Sequence, residues 1–222
     1  MTEKFSTLFP SVRQQVSDAE WETRVNLAAC YRLVDLYGMT DLHLNHISAR
    51  VPGAEEHFLI NPFGMMYEEI TASSLIKIDL AGNIISNSNP EYGVNLAGYV
   101  IHSAIHGVRH DVGCVLHTHT NAGMAVSSLK CGLLPMTQTA MRWERIAYHD
   151  FEGVVVDLDD PLFTAHEVEL LNRPNVRAVV FTSDAALARF LVGQHAARGG
   201  HHRHAHPAHH AGELALVDVH AT

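Results

Sequence analysis

Hydrophobic and polar positions change their spacing several times along the chain, and each change predicts a new element. Helical spacing within residues 18–38 is set by four apolar residues: Val25, Ala29, Leu33 and Leu36. Asp18 is the expected N-cap of this amphipathic helix, and Gly38 is the residue expected just past its end. A second helix is predicted over 95–108, and shorter ones over 120–129 and 165–172.

Short runs that are rich in apolar and β-branched residues predict strands between these helices. The predicted strands lie within residues 43–51, 57–61, 75–80, 113–118, 145–156 and 176–182. Tight turns at 62–64 and 81–83 separate some of them. This mixture predicts a single α/β or α+β domain around one central, largely antiparallel sheet.

Composition narrows the class of protein. The chain has 222 residues, of which 47% are hydrophobic, and this allows one domain with a substantial core. A net charge of −9 argues against nucleic acid as a partner. No apolar run approaches the roughly 20 residues of a membrane span, and no signal-peptide pattern is present. The three cysteines, Cys30, Cys114 and Cys131, form no C-x-x-C pair and are expected to be buried free thiols. We therefore expect a soluble, cytoplasmic protein without a membrane partner.

The candidate chemistry lies in the histidines, of which there are eighteen. His117 and His119 are two positions apart at the end of a predicted strand, so both imidazoles point to one face. The pair is either a metal site or a structural pair on a His-rich strand. His102 and His106, four residues apart on the predicted helix, form either a second metal-binding face or a half-buried face with hydrogen-bonded rings. His43, His46 and His149 are expected to be hydrogen-bonding residues.

Several dense blocks occur in a fixed order. They are NHISARV (45–51), HFLINPFG (57–64), EEITASSLIKIDLAGNI (68–84), GVNLAGYVIHSAIH (93–106), DVGCVLHTHTNAGMAVSSLKCGLLP (111–135) and AYHDFEG (147–153). Over about residues 20–180 they resemble the aldolase class II/adducin family, and its adducin branch in particular. The resemblance implies a single α/β/α three-layer domain with a central, mostly antiparallel sheet. It also implies a small-molecule substrate and a homo-oligomer such as a tetramer.

The resemblance implies a divalent metal, with zinc expected first and iron or manganese as alternatives. In the family's aldolases three histidines hold the metal, which acts as a Lewis acid. His117 and His119 match the first two of these ligands. The position of the third falls on Asp184, within Thr182-Ser183-Asp184-Ala185. Two histidines and one carboxylate would also suit iron.

Two other departures bear on the substrate and the chemistry. A glutamate that handles the proton in the sugar-phosphate aldolases is replaced by Gly98, nineteen residues before His117. The three phosphate loops correspond to 45–46, 63–64 and 96–97, where only Gly64 is retained, as a candidate substrate-binding residue. Phe63 and Leu96 offer no donors, so a phosphorylated sugar is not expected as the substrate.

The resemblance ends near residue 180. We therefore predict a family-like domain over 1–182 and a divergent tail over 183–222, which is either disordered or the product of a shifted reading frame. Seven of the histidines lie between His195 and His210 in this tail.

Three functions fit these observations. The first is a metal-dependent aldolase-type lyase acting on a small non-phosphorylated oxo or hydroxy acid. The second is a non-catalytic oligomerisation and actin-cytoskeleton module like the adducin head. The third is a non-haem iron oxygenase or decarboxylase on the same fold.

Overall fold

The computed structural model describes residues 8–53, 55–127, 129–143, 146–149, 178–182 and 212–219. Three α-helices lie in this part of the chain: α1 (Asp18–Leu36), α2 (Leu96–Val108) and α3 (Asn121–Ser127). The strands are β1 (Ile47–Arg50), β2 (His57–Ile60), β3 (Ile76–Asp79), β4 (Ile84–Ser86), β5 (Val112–Thr118), β6 (Ile146–His149), β7 (Ala178–Thr182) and β8 (Gly212–Val219). Within the described residues, each predicted helix and strand is present with its ends moved by a few residues.

The strands form one mostly antiparallel sheet in the order β4-β3-β2-β1-β5-β8-β7-β6. Only the pair of β6 and β7 is parallel among the pairings of these eight strands. In the middle of the sheet β1 pairs with β5, so that Ile47 lies opposite Leu116 and Ala49 opposite Cys114. The predicted largely antiparallel sheet is confirmed.

The sheet is covered on both faces, which gives the predicted three layers. Because neighbouring residues of a strand point to opposite faces, Leu59 packs with α1 while Phe58 and Ile60 pack with α2. On the α1 side the core includes Tyr31, and on the α2 side it includes Tyr99. The helix that carries His102 and the strand that carries His117 therefore meet across one face of the sheet.

The α1 helix begins one residue earlier than its predicted cap implies. Ser17 is the N-cap, and its hydroxyl accepts the backbone N–H of Glu20 at 3.1 Å. The apolar stripe that predicted the helix is on its outer side: Val25, Ala29, Leu33 and Leu36 are all exposed. Its buried side consists of Glu20, Arg24, Leu27, Ala28, Tyr31 and Val34. Sequence periodicity thus identified the helix but not the face that packs on the sheet.

Two charged residues on that buried side form an ion-pair network. The Arg24 guanidinium is fully buried and donates to a Glu20 carboxylate oxygen at 2.9 Å and to the Leu75 carbonyl at 2.8 Å. Lys77 of β3 donates to the other Glu20 oxygen at 2.9 Å. Burial alone would raise the pKa of Glu20, but the hydrogen bonds from Lys77 and Arg24 outweigh it and lower the pKa. The network joins α1 to the sheet on the face opposite the histidines.

The predicted tail lies mostly outside the described residues, so its disorder or shifted frame stays a prediction there. Within it, however, Gly212–Val219 forms β8 and pairs with β5 and β7. Cys131 is exposed, which corrects the expectation of three buried thiols, whereas Cys30 and Cys114 are partly buried. Among the helices described, none combines the length and the apolar character that a bilayer span requires.

Candidate functional site

The pairing of β1 with β5 brings His46 beside His117. His46 directly precedes β1, and the backbone N–H of His117 donates to its carbonyl oxygen at 3.3 Å. The two ring centres are 5.2 Å apart, and both residues are buried. Residues 71 positions apart in the sequence therefore meet because two central strands are neighbours in the sheet.

His117 and His119 lie side by side as the strand spacing predicted. Their ring centres are 5.3 Å apart and the ring planes are inclined by 46°. Two imidazoles that bind one tetrahedral ion through nitrogens at about 2 Å have ring centres roughly 5 Å apart. The observed separation is thus compatible with a shared ion, although two histidines do not complete a site.

Asp41 lies behind His119. The Nδ1 atom of His119 and the Oδ2 atom of Asp41 are 2.9 Å apart, and the His119 side chain is 8% exposed. An ionised carboxylate only accepts hydrogen bonds, so this contact places the ring proton on Nδ1. The other ring nitrogen, Nε2, is then the one with a lone pair.

Gly98 lies in the first turn of α2 and contacts the His46 ring. A Cβ atom added at Gly98 would lie 2.6 Å from His46 Nδ1 and 2.7 Å from Cε1 and Cγ. Carbon and nitrogen atoms that are not bonded do not approach so closely. The imidazole of His46 therefore occupies the space in which a side chain at position 98 would begin.

His102 completes a four-histidine cluster, which consists of His46, His102, His117 and His119. Its ring centre is 5.9 Å from that of His117 and 6.1 Å from that of His46. His102 is fully buried, and burial, followed by the neighbouring imidazoles, lowers its pKa well below the ordinary value. His102 is therefore neutral at physiological pH.

The second histidine pair that the sequence singled out meets at one hydroxyl group. Ser48 Oγ of β1 is 2.7 Å from His102 Nδ1 and 2.8 Å from His106 Nε2. Burial and the nearby Arg50 guanidinium lower the pKa of His106 to about 3. Both rings are thus hydrogen-bonded, as in the structural alternative for this helix face.

The remaining candidates fall in different places. Asp184, the predicted third ligand, lies outside the described residues. Gly64 is in the turn after β2 with φ of +92°, a left-handed conformation that favours glycine. In the parts of the chain that the structure describes, no group of three or more His, Cys, Asp or Glu side chains is placed to hold a metal ion together. Ligation by His117, His119 and Asp184 therefore stays a prediction.

Sequence reasoning did not single out Asp41 and gave His46 only a hydrogen-bonding role. Asp41 and His119 are 78 residues apart, so no local spacing relates them. His46 joins the cluster through strand pairing, and its contact with Gly98 depends on the position of α2. The available signal was the unusual combination of a glycine at 98 and a histidine at 46.

Comparison with known proteins agrees with this geometry. Residues 25–169 match the family model described as Class II Aldolase and Adducin N-terminal domain. The chain belongs to this family. A Pseudomonas aeruginosa protein, named provisionally as a class 2 aldolase, is 58% identical over 67% of the chain and 57% of its own length. Rat alpha-adducin is 50% identical over 63% of the chain and 19% of its own length. The chain thus spans little more than half of its bacterial relative in this family.

Two solved structures of the class II aldolase type have the same fold. An aldolase II superfamily protein from Pseudomonas syringae superposes with a TM-score of 0.69 at 49% identity, over 76% of this chain and 65% of its own. The L-fuculose 1-phosphate aldolase of Glaciozyma antarctica gives a TM-score of 0.63 at 27% identity, over 84% of this chain and 73% of its own. The predicted family resemblance and fold class are confirmed.

Proposed function

We propose that this chain is a metal-dependent carbon–carbon lyase of the class II aldolase type, with a small non-phosphorylated oxo or hydroxy acid as substrate. The observation that carries the proposal is the side-by-side placement of His117 and His119 at the end of β5, with ring centres 5.3 Å apart. In this family a pair of this kind is the first half of a divalent-metal site. The proposed metal is zinc, with iron or manganese as alternatives.

The residues of the chain have separate roles in this proposal. His117 and His119 hold the metal, and Asp184 is the proposed third ligand. A metal bound there would polarise a substrate carbonyl as a Lewis acid. His102 stays neutral beside His117, so it adds no positive charge that would repel a cation.

The choice of a non-phosphorylated substrate rests on the residues in the family's phosphate loops. The side chains of Phe63 and Leu96 are 45% and 55% exposed, and neither carries a hydrogen-bond donor. A phosphate dianion at these positions would lose hydration without gaining a partner. Gly64 supports a tight turn of the backbone here and is the proposed substrate-binding residue.

Gly98 limits how the reaction proceeds. A retro-aldol reaction breaks a carbon–carbon bond, and a proton leaves the substrate hydroxyl while another is returned to carbon. Gly98 has no ionisable side chain, and the first group that a side chain there would touch is the His46 ring. The proton therefore passes through a group other than residue 98.

The test uses the full chain loaded with zinc or manganese and a series of 4-hydroxy-2-oxo acids, with release of pyruvate as the readout. The proposal predicts cleavage that falls at least about 100-fold in the double variant His117→Ala/His119→Ala. The double variant His57→Ala/His110→Ala removes two histidines outside the cluster and is the matched control, with cleavage unchanged. Absence of cleavage in the metal-loaded wild type would contradict the proposal.

A second candidate function is a non-catalytic oligomerisation and cytoskeletal module of the adducin type. The observation that favours it is the contact between Gly98 and His46, because it leaves no room for an acid at position 98. Co-sedimentation with actin filaments, together with light scattering to measure the oligomer, distinguishes the two. Filament binding that is unaffected by His117→Ala/His119→Ala, combined with no cleavage, would favour the module. A homo-oligomer such as a tetramer is proposed under both functions.

A further inference from the structure

We infer that Asp41 is a positioning residue for the metal centre, fixing His119 in the tautomer that has its proton on Nδ1 and its lone pair on Nε2. The inference rests on the proposed function in one respect, namely that Nε2 of His119 binds a metal. The orientation of the ring itself does not depend on a metal. Asp41 belongs to none of the motifs that indicated the family.

The contact is between one sheltered and one accessible group. His119 Nδ1 is 2.9 Å from Asp41 Oδ2, with side chains 8% and 39% exposed. A carboxylate that accepts the ring proton favours one of the two neutral tautomers and stops rotation of the imidazole. Metal-binding histidines commonly donate their second ring nitrogen to a carboxylate in this way. Position and chemistry of Asp41 are therefore those of a carboxylate that orients a metal-binding histidine.

The loop around Asp41 is shaped to hold this carboxylate in place. The backbone N–H of Asp41 donates to the side-chain oxygen of Asn45, a fully buried residue. The carbonyl of Asp41 accepts the N–H of Leu44 at 3.0 Å. Both backbone groups of Asp41 are thus bonded within the loop, and the side chain points to His119.

The residue after Asp41 is held in a costly conformation. Leu42 has φ of +51°, in the left-handed region that a bulky residue rarely adopts. Its side chain is 59% exposed, so burial of the side chain does not explain the conformation. Strain of this kind persists only where surrounding bonds enforce it, and it is concentrated at functional sites. We attribute it to the hydrogen bonds that orient Asp41.

The first experiment measures the tautomer of His119 without any metal. Long-range ¹H–¹⁵N spectra of the metal-free full chain distinguish protonated from unprotonated ring nitrogens, and His119→Ala identifies the signal. The expected result is a single Nδ1–H tautomer in the wild type and a mixture in Asp41→Ala. Asp35→Ala, which removes a carboxylate from α1, is the matched control and should leave the signal unchanged. An unchanged tautomer in Asp41→Ala would overturn the inference.

The second experiment measures cobalt(II) binding through its visible absorption, which reports coordination geometry. Asp41→Ala is expected to weaken cobalt binding at the pair by about 10–100-fold, and Asp41→Asn by less because the amide oxygen still accepts a hydrogen bond. Leu42→Gly relieves the backbone strain and should leave the affinity within about twofold. Subtracting the signal of His117→Ala/His119→Ala removes the contribution of the other histidines.

The two experiments separate the possible failures. Equal cobalt affinity and spectrum in the wild type and Asp41→Ala would overturn the positioning role. An equal loss of affinity in Asp41→Ala and the control Asp35→Ala would overturn it as well. No cobalt at the pair in the wild type, with the tautomer still dependent on Asp41, would contradict the proposed function and support the orientation of the ring.

Discussion

The backbone of Gly98 and the imidazole of His46 are in direct contact, with no room for a Cβ atom between them. This contact joins the first turn of α2 to the residue that precedes β1. It also explains why a glycine stands at a position where the family's aldolases have an acid. The residues at 46 and 98 form a matched pair, and a change at one requires a change at the other.

The first prediction tests this pair. Gly98→Ala introduces a Cβ atom 2.6–2.7 Å from three His46 ring atoms, so the ring or the helix must move. Overpacking of this kind is expected to lower the free energy of unfolding by about 1–3 kcal/mol. Urea denaturation of the purified variant measures it. The double variant His46→Ala/Gly98→Ala should recover much of the loss, because the colliding ring is absent.

Gly107 on the same helix is the control for this prediction. A Cβ atom there would meet only Leu80 Cδ1, at 3.9 Å. Replacing a helical glycine by alanine without a collision is expected to stabilise the protein by about 0.5–1 kcal/mol. Equal effects of Gly98→Ala and Gly107→Ala would show that His46 does not restrict position 98.

The second prediction concerns the buried ion pair of Glu20 and Arg24. Glu20→Ala leaves the Arg24 guanidinium buried without its carboxylate, and this is expected to destabilise the fold by about 3–5 kcal/mol. Urea denaturation measures the change in the free energy of unfolding. Glu22→Ala, two residues further on the same helix and exposed, should change it by less than about 0.5 kcal/mol. A loss below about 1 kcal/mol in Glu20→Ala would contradict the network's role.

The third prediction follows from the buried His106. Its pKa is about 3 in the folded protein, below the ordinary histidine value, so the unfolded chain binds a proton that the folded protein excludes. The stabilisation is therefore complete above pH about 6.5 and is lost as the pH falls towards 3. His106 should contribute about 1.4 kcal/mol per pH unit to the slope in this range.

His106→Gln tests the assignment, since its amide nitrogen can replace Nε2 beside Ser48. Unfolding free energies measured between pH 7 and pH 4 should fall less steeply in this variant than in the wild type. His110→Gln, at an exposed position, provides the control with an unchanged slope. Parallel curves for the wild type and His106→Gln would contradict the assignment.

Much of the fold was predictable from local patterns. Strands such as His57–Ile60 and the helix Leu96–Val108 match their predicted ranges closely, because continuous apolar runs and tight turns delimit them. The side-by-side placement of His117 and His119 also followed from the two-residue period of a strand. The buried face of α1 did not follow, because its interior includes the paired charges of Glu20 and Arg24, whereas apolar residues lie outside.

The rest of the site depends on contacts between distant segments. His46 reaches His117 through the register of β1 with β5, and Asp41 reaches His119 through a loop with a left-handed Leu42. Neither relationship has a sequence spacing that could have indicated it. Family resemblance supplied the roles of His117 and His119, and the structure added the neighbours that orient them.

The most direct test of the proposed function is anomalous diffraction from crystals of the zinc-loaded full chain, recorded on both sides of the zinc edge. The proposed function predicts an anomalous peak bonded to one nitrogen of His117 and to Nε2 of His119, each at about 2.0–2.1 Å. Zinc found only on histidines of the 195–210 segment, or no peak at the pair, would contradict it.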